Sequence, residues 1–223
     1  MTVSDSSRLI KAAIISIPSG APIPTVVVMQ YNPEQLTRSI APKYVQTGGV
    51  PIGGELLAGP AEETITLTAK ISAVDQLANG SGVAGEVGLL PQLAALEVIM
   101  YPQSIAIMMA TAKLAAGTLE ITPSTTPLTL FAWGFKRVMP VQLTGYSVTE
   151  TLHDPNLNPI NADVSLTLKV LTYQEFTSSQ AGYYVSIANL VAREAMSALN
   201  LIASGESAIG ANVGKAAMAA VGL

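Results

Sequence analysis

Between residues 161 and 170 apolar and polar side chains alternate without a break: Ala162, Val164, Leu166, Leu168 and Val170 fall on one phase, Asn161, Asp163, Ser165, Thr167 and Lys169 on the other. A period of two sends successive side chains to opposite faces of a strand, so the pattern predicts a sheet with one dry face. The same alternation marks residues 64–73, where Ile65, Leu67, Ala69 and Ile71 oppose Thr64, Thr66, Thr68, Lys70 and Ser72. A further strand starts with Val141 and Leu143 on one phase and continues with Tyr146 and Val148 on the other. The phase changes at Gly145, where a bulge costs least, so this strand is expected to be strongly curved. With a strand opening at Leu128, residues 128–171 read as three consecutive strands. The last two are separated by HDPNLNP, in which Pro155 and Pro159 remove backbone donors while Asp154, Asn156 and Asn158 offer turn-forming side chains. An ordered excursion from the sheet is expected there.

Elsewhere the periodicity is mixed. Residues 8–17 suit a helix or a strand, and the prolines of 18–24 then forbid regular structure. Residues 25–31 form a continuous apolar strand ended by Asn32 and Pro33, with 34–40 read as a short turn. Residues 41–60 make a loop rich in glycine and proline. Residues 87–101 place Leu89, Leu90, Leu93, Leu96 and Met100 three and four apart, with Pro91 tolerable in a first turn, and predict an amphipathic helix packed on the sheet. Residues 103–117 either extend that helix or form an insertion that packs against a partner. Residues 183–203 read as a helix with Ile187, Leu190, Val191, Ala195, Ala198 and Leu201 along one side. The small, apolar stretch 207–223 suits docking against another chain, or a frayed terminus. The expected class is mainly β with α (α+β), divided into a β domain at 1–176 and a helical Ala/Gly-rich extension at 177–223.

The run from Trp133 and Gly134 through the strand at Pro140 and Val141 to SVTETLHDPNLNPINADVSLTLKVL resembles the contractile injection system tube proteins, which have the phage tail-tube fold. VVVMQYNPEQLTRSI at 26–40 is similar to that family's opening strand, which ends in an aromatic-Asn-Pro turn. The two matches span roughly residues 24–175 and keep the family's order. The resemblance implies a tail-tube-like β-sandwich or barrel with one packed helix, and six copies in a ring whose strands close a continuous β-barrel around a channel. It also implies that the 41–60 loop reaches over the neighbouring subunit, although a merely flexible loop reads equally well. Asn32, Pro33, Trp133, Gly134, His153, Asp154, Pro155, Asn158 and Pro159 become the candidate fold-determining or inter-subunit residues. Baseplate members of the family often carry a LysM-type domain after the tube domain; here residues 177–223 read as helix instead.

Composition narrows the setting. Charged residues are 12% of the chain, against about 25% in a typical soluble domain, while apolar residues reach 49%. So little charge covers a free monomer poorly and points to a surface buried by other subunits or by a membrane. The uncharged apolar run 98–112 contains Pro102, Gln103 and Ser104, whereas a spanning helix needs about 20 mostly apolar residues. Asp5 precedes the first basic residue, and the apolar run after it is too short for a secretion signal. Synthesis in the cytoplasm and assembly into a phage-tail-like particle, released to the outside, is the expected localisation. The absence of cysteine removes disulfides and thiolate chemistry, and a net charge of −4 argues against nucleic acid as a partner.

No motif proposes a reaction, and neither an enzyme nor a cofactor is expected. Residues 80–85 spell G-x-G-x-x-G after a strand and before a helix. The preceding strand, however, alternates, where a dinucleotide-binding strand would be apolar on both faces, and no acidic residue occurs between Glu97 and Glu120. A flexible glycine loop is the simpler reading. His153 and Asp154 are adjacent and point to opposite faces of an extended chain, so they do not form a catalytic pair. No metal is expected: there is one histidine, and Glu62 and Glu63 are neighbours on an edge instead of a convergent cluster. Trp133 and Phe135 could bind a sugar or a base, yet a lone Trp at a strand end is more often a core anchor.

The expected function is therefore structural: a hexameric baseplate ring that connects the spike hub to the inner tube, with hub, inner-tube, sheath or other baseplate proteins as partners. A repeating inner-tube or tube-end subunit of the same machine is the near alternative. A monomeric β-sandwich that binds a small molecule or carbohydrate is the alternative from another class. A membrane-associated protein using 103–117 and 207–223 would require detergent.

Overall fold

The computed structural model describes residues 11–17, 24–45, 56–78, 80, 82–101, 104–117, 127–135 and 137–205. The tip of the glycine-rich loop at 46–55 and the tail at 206–223 lie outside the described residues. The chain is a mixture of strands and helices built on one seven-stranded antiparallel sheet. In chain order the strands are β1 (Ala13–Ile17), β2 (Thr25–Val28), β3 (Leu36–Ala41), β4 (Glu62–Ser72), β5 (Leu128–Ala132), β6 (Val138–His153) and β7 (Pro159–Val170). Across the sheet they run β2-β1-β5-β6-β7-β4-β3. The helices are α1 (Val74–Ala78), α2 (Gly82–Val87), α3 (Leu90–Glu97), α4 (Ser104–Ala115) and α5 (Ala181–Gly205).

The alternating stretches are the strands they predict. Ile65, Leu67, Ala69 and Ile71 of β4, and Ala162, Val164, Leu166, Leu168 and Val170 of β7, point into one core. The register of β6 against β7 slips between Leu143 and Gly145, at the phase change read in the sequence. A β-carbon at Gly145 would stand 3.1 Å from Thr167 Oγ1, so the bulge passes close over the neighbouring strand. β6 serves two partners: Val138 to Val141 pair with β5, and Val141 onward pairs with β7.

β2 and β3 are consecutive in sequence yet sit at opposite edges of the sheet, joined only by residues 29–35. Six flat inter-strand spacings of ~4.8 Å would separate them by about 29 Å, the full reach of that link if it were straight. The link is folded instead. Asn32 Oδ1 accepts the Ala12 N–H before β1 at 2.9 Å, and Gln30 Oε1 accepts the Ser72 N–H at the end of β4 at 2.8 Å. The sheet must therefore curl, and two carboxamides hold the start of β1 and the end of β4 to one short loop. Leu89, Leu93 and Leu96 of the α3 segment share one buried core with Ile14, Phe131 and the β4 and β7 residues.

Four sequence expectations need correction. Residues 36–41 are a strand and not part of a turn: an edge strand has one ladder partner and mostly exposed side chains, so it shows no clean alternation. β2 ends at Val28, because the chain turns at 29–35 to cross the sheet. The expected helix at 87–101 is interrupted, since Gly88 has φ +58° and Leu89 N–H donates to Pro159 O at 2.9 Å, which separates α2 from the shorter α3. The glycine motif at 80–85 is helical from Gly82 onward and not a loop. Within 8–17, where helix and strand suited the pattern equally, residues 13–17 are a strand, β1, and residues 8–10 lie outside the described residues.

Candidate functional site

Three features stand out: a rigid hairpin tip, open sheet edges, and a helix held by its less apolar side.

The tip joins β6 to β7. Asp154 and Pro155 occupy the first two positions of a β-turn closed by Leu157 N–H to Asp154 O at 3.0 Å, the residue types that such a turn prefers. Asp154 Oδ1 accepts the backbone N–H groups of Asn156 and Asn158, each at 2.8 Å, and Oδ2 accepts Asn158 Nδ2 at 2.8 Å. These bonds from Asn158, with that from Asn156, hold the Asp154 carboxyl below its usual pKa. Asn158 Nδ2 also donates to Glu86 O in α2 at 2.9 Å, and Pro159 is buried, so the tip is fastened to the helical layer. Leu152 and Leu157 adopt φ of +57° and +65°, and they are 63% and 80% exposed.

Beside the tip lies a groove of about 780 Å³, walled by Tyr31, Pro33, Glu34 and Gln35 on one side and floored by β4 and β7 residues from Lys70 to Ser72 and Asn161 to Asp163. Thr151 of β6 reaches the same groove. Asn32, Pro33 and the 153–159 tip are thereby brought to one end of the molecule. Trp133 and Gly134 are not among them. They form the β5–β6 hairpin at the other end of β6, where Trp133 N–H donates to Arg137 O at 2.8 Å, Gly134 has φ +75°, and the indole packs on the core 5.9 Å from the Phe131 ring. His153 Nε2 stands 3.6 Å from Glu150 Oε2, and the Asp154 oxygens belong to the turn.

The edges are the second feature. No described strand pairs with the outer side of β3 or, at the opposite end of the sheet, of β2, and β6 beyond Val141 has a ladder only on its β7 side. Below β3 the chain continues into a two-stranded arm: Val45 N–H donates to Leu56 O and Ala58 N–H to Lys43 O, both at 2.8 Å. Tyr44, Val45, Leu56 and Leu57 on that arm are exposed. The face of β4 and β7 away from the core is hydroxyl-rich, with Thr68 and Ser165 in contact at 3.1 Å and Lys70 opposite Asp163 in register.

Glu63 is the residue that sequence reading misplaced. It lies on the core phase of β4, is 3% exposed, and holds Arg38 of β3 on Oε1 and Arg193 of α5 on Oε2, each at 2.5 Å. The Arg38 contact is a close ion pair without an aligned hydrogen bond; the Arg193 contact is both. The only sequence signal was the phase of Glu63, which matches Ile65 and Leu67. Gly182, Asn189 and Arg193 form one face of α5 and fix it: a β-carbon at Gly182 would meet the Phe176 ring, and Asn189 Nδ2 donates to Val138 O at 3.2 Å. Leu190 and Val191, from the predicted apolar side, are exposed, as is Leu199. Every large apolar side chain of α4 from Ile105 to Leu114 is also exposed. Tyr146 keeps its hydroxyl buried and without a hydrogen-bond partner; burial, then Glu97 and Glu150, push its pKa up to about 12.

Among the described residues no group of three metal-ligating side chains converges, and no helix is long and apolar enough to cross a membrane. No family model matches this chain, and no curated protein sequence is significantly similar to it.

Proposed function

We propose that this chain is a ring-forming structural protein of a contractile, phage-tail-like injection machine, in which copies join edge to edge through β3 of one and β6 of the next. The observation that carries the reading is that two of the open edges, β3 and the upper part of β6, bound one four-stranded section of the sheet. The strands β6, β7, β4 and β3 form a four-stranded sheet with alternating directions, so its two edges run in opposite senses. A copy rotated about an axis along the strands presents an upward β6 to a downward β3, and the antiparallel ladder continues without a parallel junction. An odd number of strands would not allow this. Closure into a ring also removes these two edges, which otherwise invite uncontrolled pairing.

Six copies would give 24 strands and a barrel on the order of 40 Å across between backbones, from strands ~4.8 Å apart. The hydroxyl-rich face would then line the channel. The exposed apolar arm at 43–45 and 56–58 fits a contact with the neighbour. Function would reside in stacking faces and a lumen, with the spike hub and inner tube as the partners above and below, and no active site is required.

The groove favours a second reading, a monomeric module that binds a ligand between the 29–35 loop and β4. Light scattering on the size-exclusion peak, with negative-stain imaging of that peak, separates the two. The ring reading expects hexamers with an open centre, and stacks of rings would favour a repeating tube subunit over a baseplate adaptor. A monomer at every concentration, without rings, would support the ligand-binding module.

A further inference from the structure

The helix α4 stands off the body of the molecule. From Ile107 to Gly117 every residue is exposed, and so are Ser104 and Ile105 at its start. At 3.6 residues per turn Ile105 and Met109 share one side, Ile107 and Leu114 the opposite side, and Met108 lies on the arc between them. All five are more than half exposed. A helix that is apolar in every direction belongs in a large core or in a membrane, and water is the wrong surrounding for it.

A protein partner fits that geometry poorly, because a groove or a second α4 shields only the side turned toward it. Hydrocarbon encloses a helix on all sides. The polar groups of α4 suit the same surrounding. Thr111, the one uncharged polar side chain between Ile105 and Lys113, donates its hydroxyl to Ile107 O at 2.9 Å and so brings no open donor. The last turn closes on its own backbone: Ala116 N–H donates to Ala112 O and Gly117 N–H to Leu114 O, both at 3.0 Å, with Gly117 at φ +76°. Lys113 sits in that turn, where its stem can lie in an apolar layer while the ammonium stays among lipid headgroups. No acidic residue lies between Glu97 and Glu120 to be repelled by anionic lipid. Tyr101, exposed just before the helix, suits the boundary between headgroups and hydrocarbon.

We infer that α4 inserts into one leaflet of a lipid bilayer and anchors the protein there without crossing. At 12 residues it is about 18 Å long, against a hydrocarbon core of about 30 Å, so it reaches roughly one leaflet deep. The inference does not depend on the ring, since a monomer carries the same helix. A ring would present several copies of it to one surface and bind more tightly.

The chain contains no cysteine, so single thiols can be introduced without background. Ile107→Cys and Met109→Cys, on opposite sides of α4, are each labelled with an environment-sensitive fluorophore and mixed with vesicles of phosphatidylcholine and phosphatidylglycerol. Both labels are expected to shift to the blue and to be quenched by nitroxides on the lipid chains. A shift at one position alone would mean one-sided docking, and a shift at neither a helix that stays in water; each overturns the inference. Ile107→Asp/Met109→Asp provides a second check. Neither side chain is buried, so the melting temperature should match the parent's, while co-flotation with the vesicles should fall by about tenfold or more. Flotation equal to the parent's would overturn the inference. So would a parent that never floats but forms oligomers which the double variant loses, a result that assigns α4 to a contact between protein copies.

Discussion

Arg193 Nη2 and Glu63 Oε2 meet at 2.5 Å across 130 residues of sequence. This contact, with Arg38 on the other oxygen, ties three pieces together: the edge strand β3, the core strand β4 and the first half of α5. A buried carboxylate tolerates its desolvation only while paired. Removing Arg193 alone leaves Arg38 in place and is expected to cost about 1 kcal/mol. The double variant Arg38→Ala/Arg193→Ala strands the carboxylate and should cost about 3 kcal/mol or more, with part of the loss recovered by adding Glu63→Gln. Urea unfolding of the set measures this; additive single costs would show that the three groups do not act together.

Gly88 is the tightest point between the helical layer and the tip. A β-carbon there would stand 2.4 Å from Pro159 O, in a backbone conformation with positive φ. Gly88→Ala is therefore expected to destabilise by about 2 kcal/mol or more and to loosen the Leu89 N–H to Pro159 O bond. Hydrogen exchange at the Leu89 amide reads the second effect directly. Unchanged stability would mean that the helical layer is not seated on the hairpin base as described.

The tip should respond to acid. The folded pKa of Asp154 lies below its unfolded value, so the order it supplies is complete above the ordinary carboxylate pKa of about 3.9 and is lost as pH falls through the depressed folded value. Amide exchange at Asn156 and Asn158, compared after correction for intrinsic rates, should show protection at pH 5 that disappears in stronger acid. Asp154→Asn should remove this dependence. A tip whose protection ignores pH would contradict the carboxylate's role.

Leu157→Gly relieves a left-handed leucine at the cost of a more flexible unfolded chain. The net expectation is a gain of about 0.5–1 kcal/mol in the isolated chain. Thermal unfolding under conditions that keep the protein monomeric tests it. A loss of stability would mean that Leu157 already makes contacts within its own copy.

The strands of the core were legible because a half-buried strand writes its burial into alternate residues, as β4 and β7 do, and because Gly145 marks the phase change of β6. The turn-forming residues of 154–158 were equally visible, though not that the Asp154 carboxylate accepts the bonds from Asn156 and Asn158. What stayed hidden depends on the curl of the sheet. Leu36 to Ala41 are mostly exposed on an edge and carry no pattern, so β3 read as a turn. Gln30 and Asn32 act on backbone amides at the end of β4 and just before β1, partners that no spacing reveals. Glu63 looked like an exposed neighbour of Glu62, because its pairing with Arg193 depends on where α5 docks. The apolar positions of α5 were found, but Leu190 and Val191 face away from the body. Position on a helix face does not tell which face is used.

The central claim is that β3 of one copy pairs with β6 of the next, and hydrogen exchange of the full chain at low and at high concentration tests it most directly. The account predicts that, as rings form, backbone amides of residues 36–41 and of the upper part of β6, residues 144–153, become protected, while the core amides of β4 and β7 change little. Rings that assemble with both edges still exchanging as fast as in the monomer would contradict it.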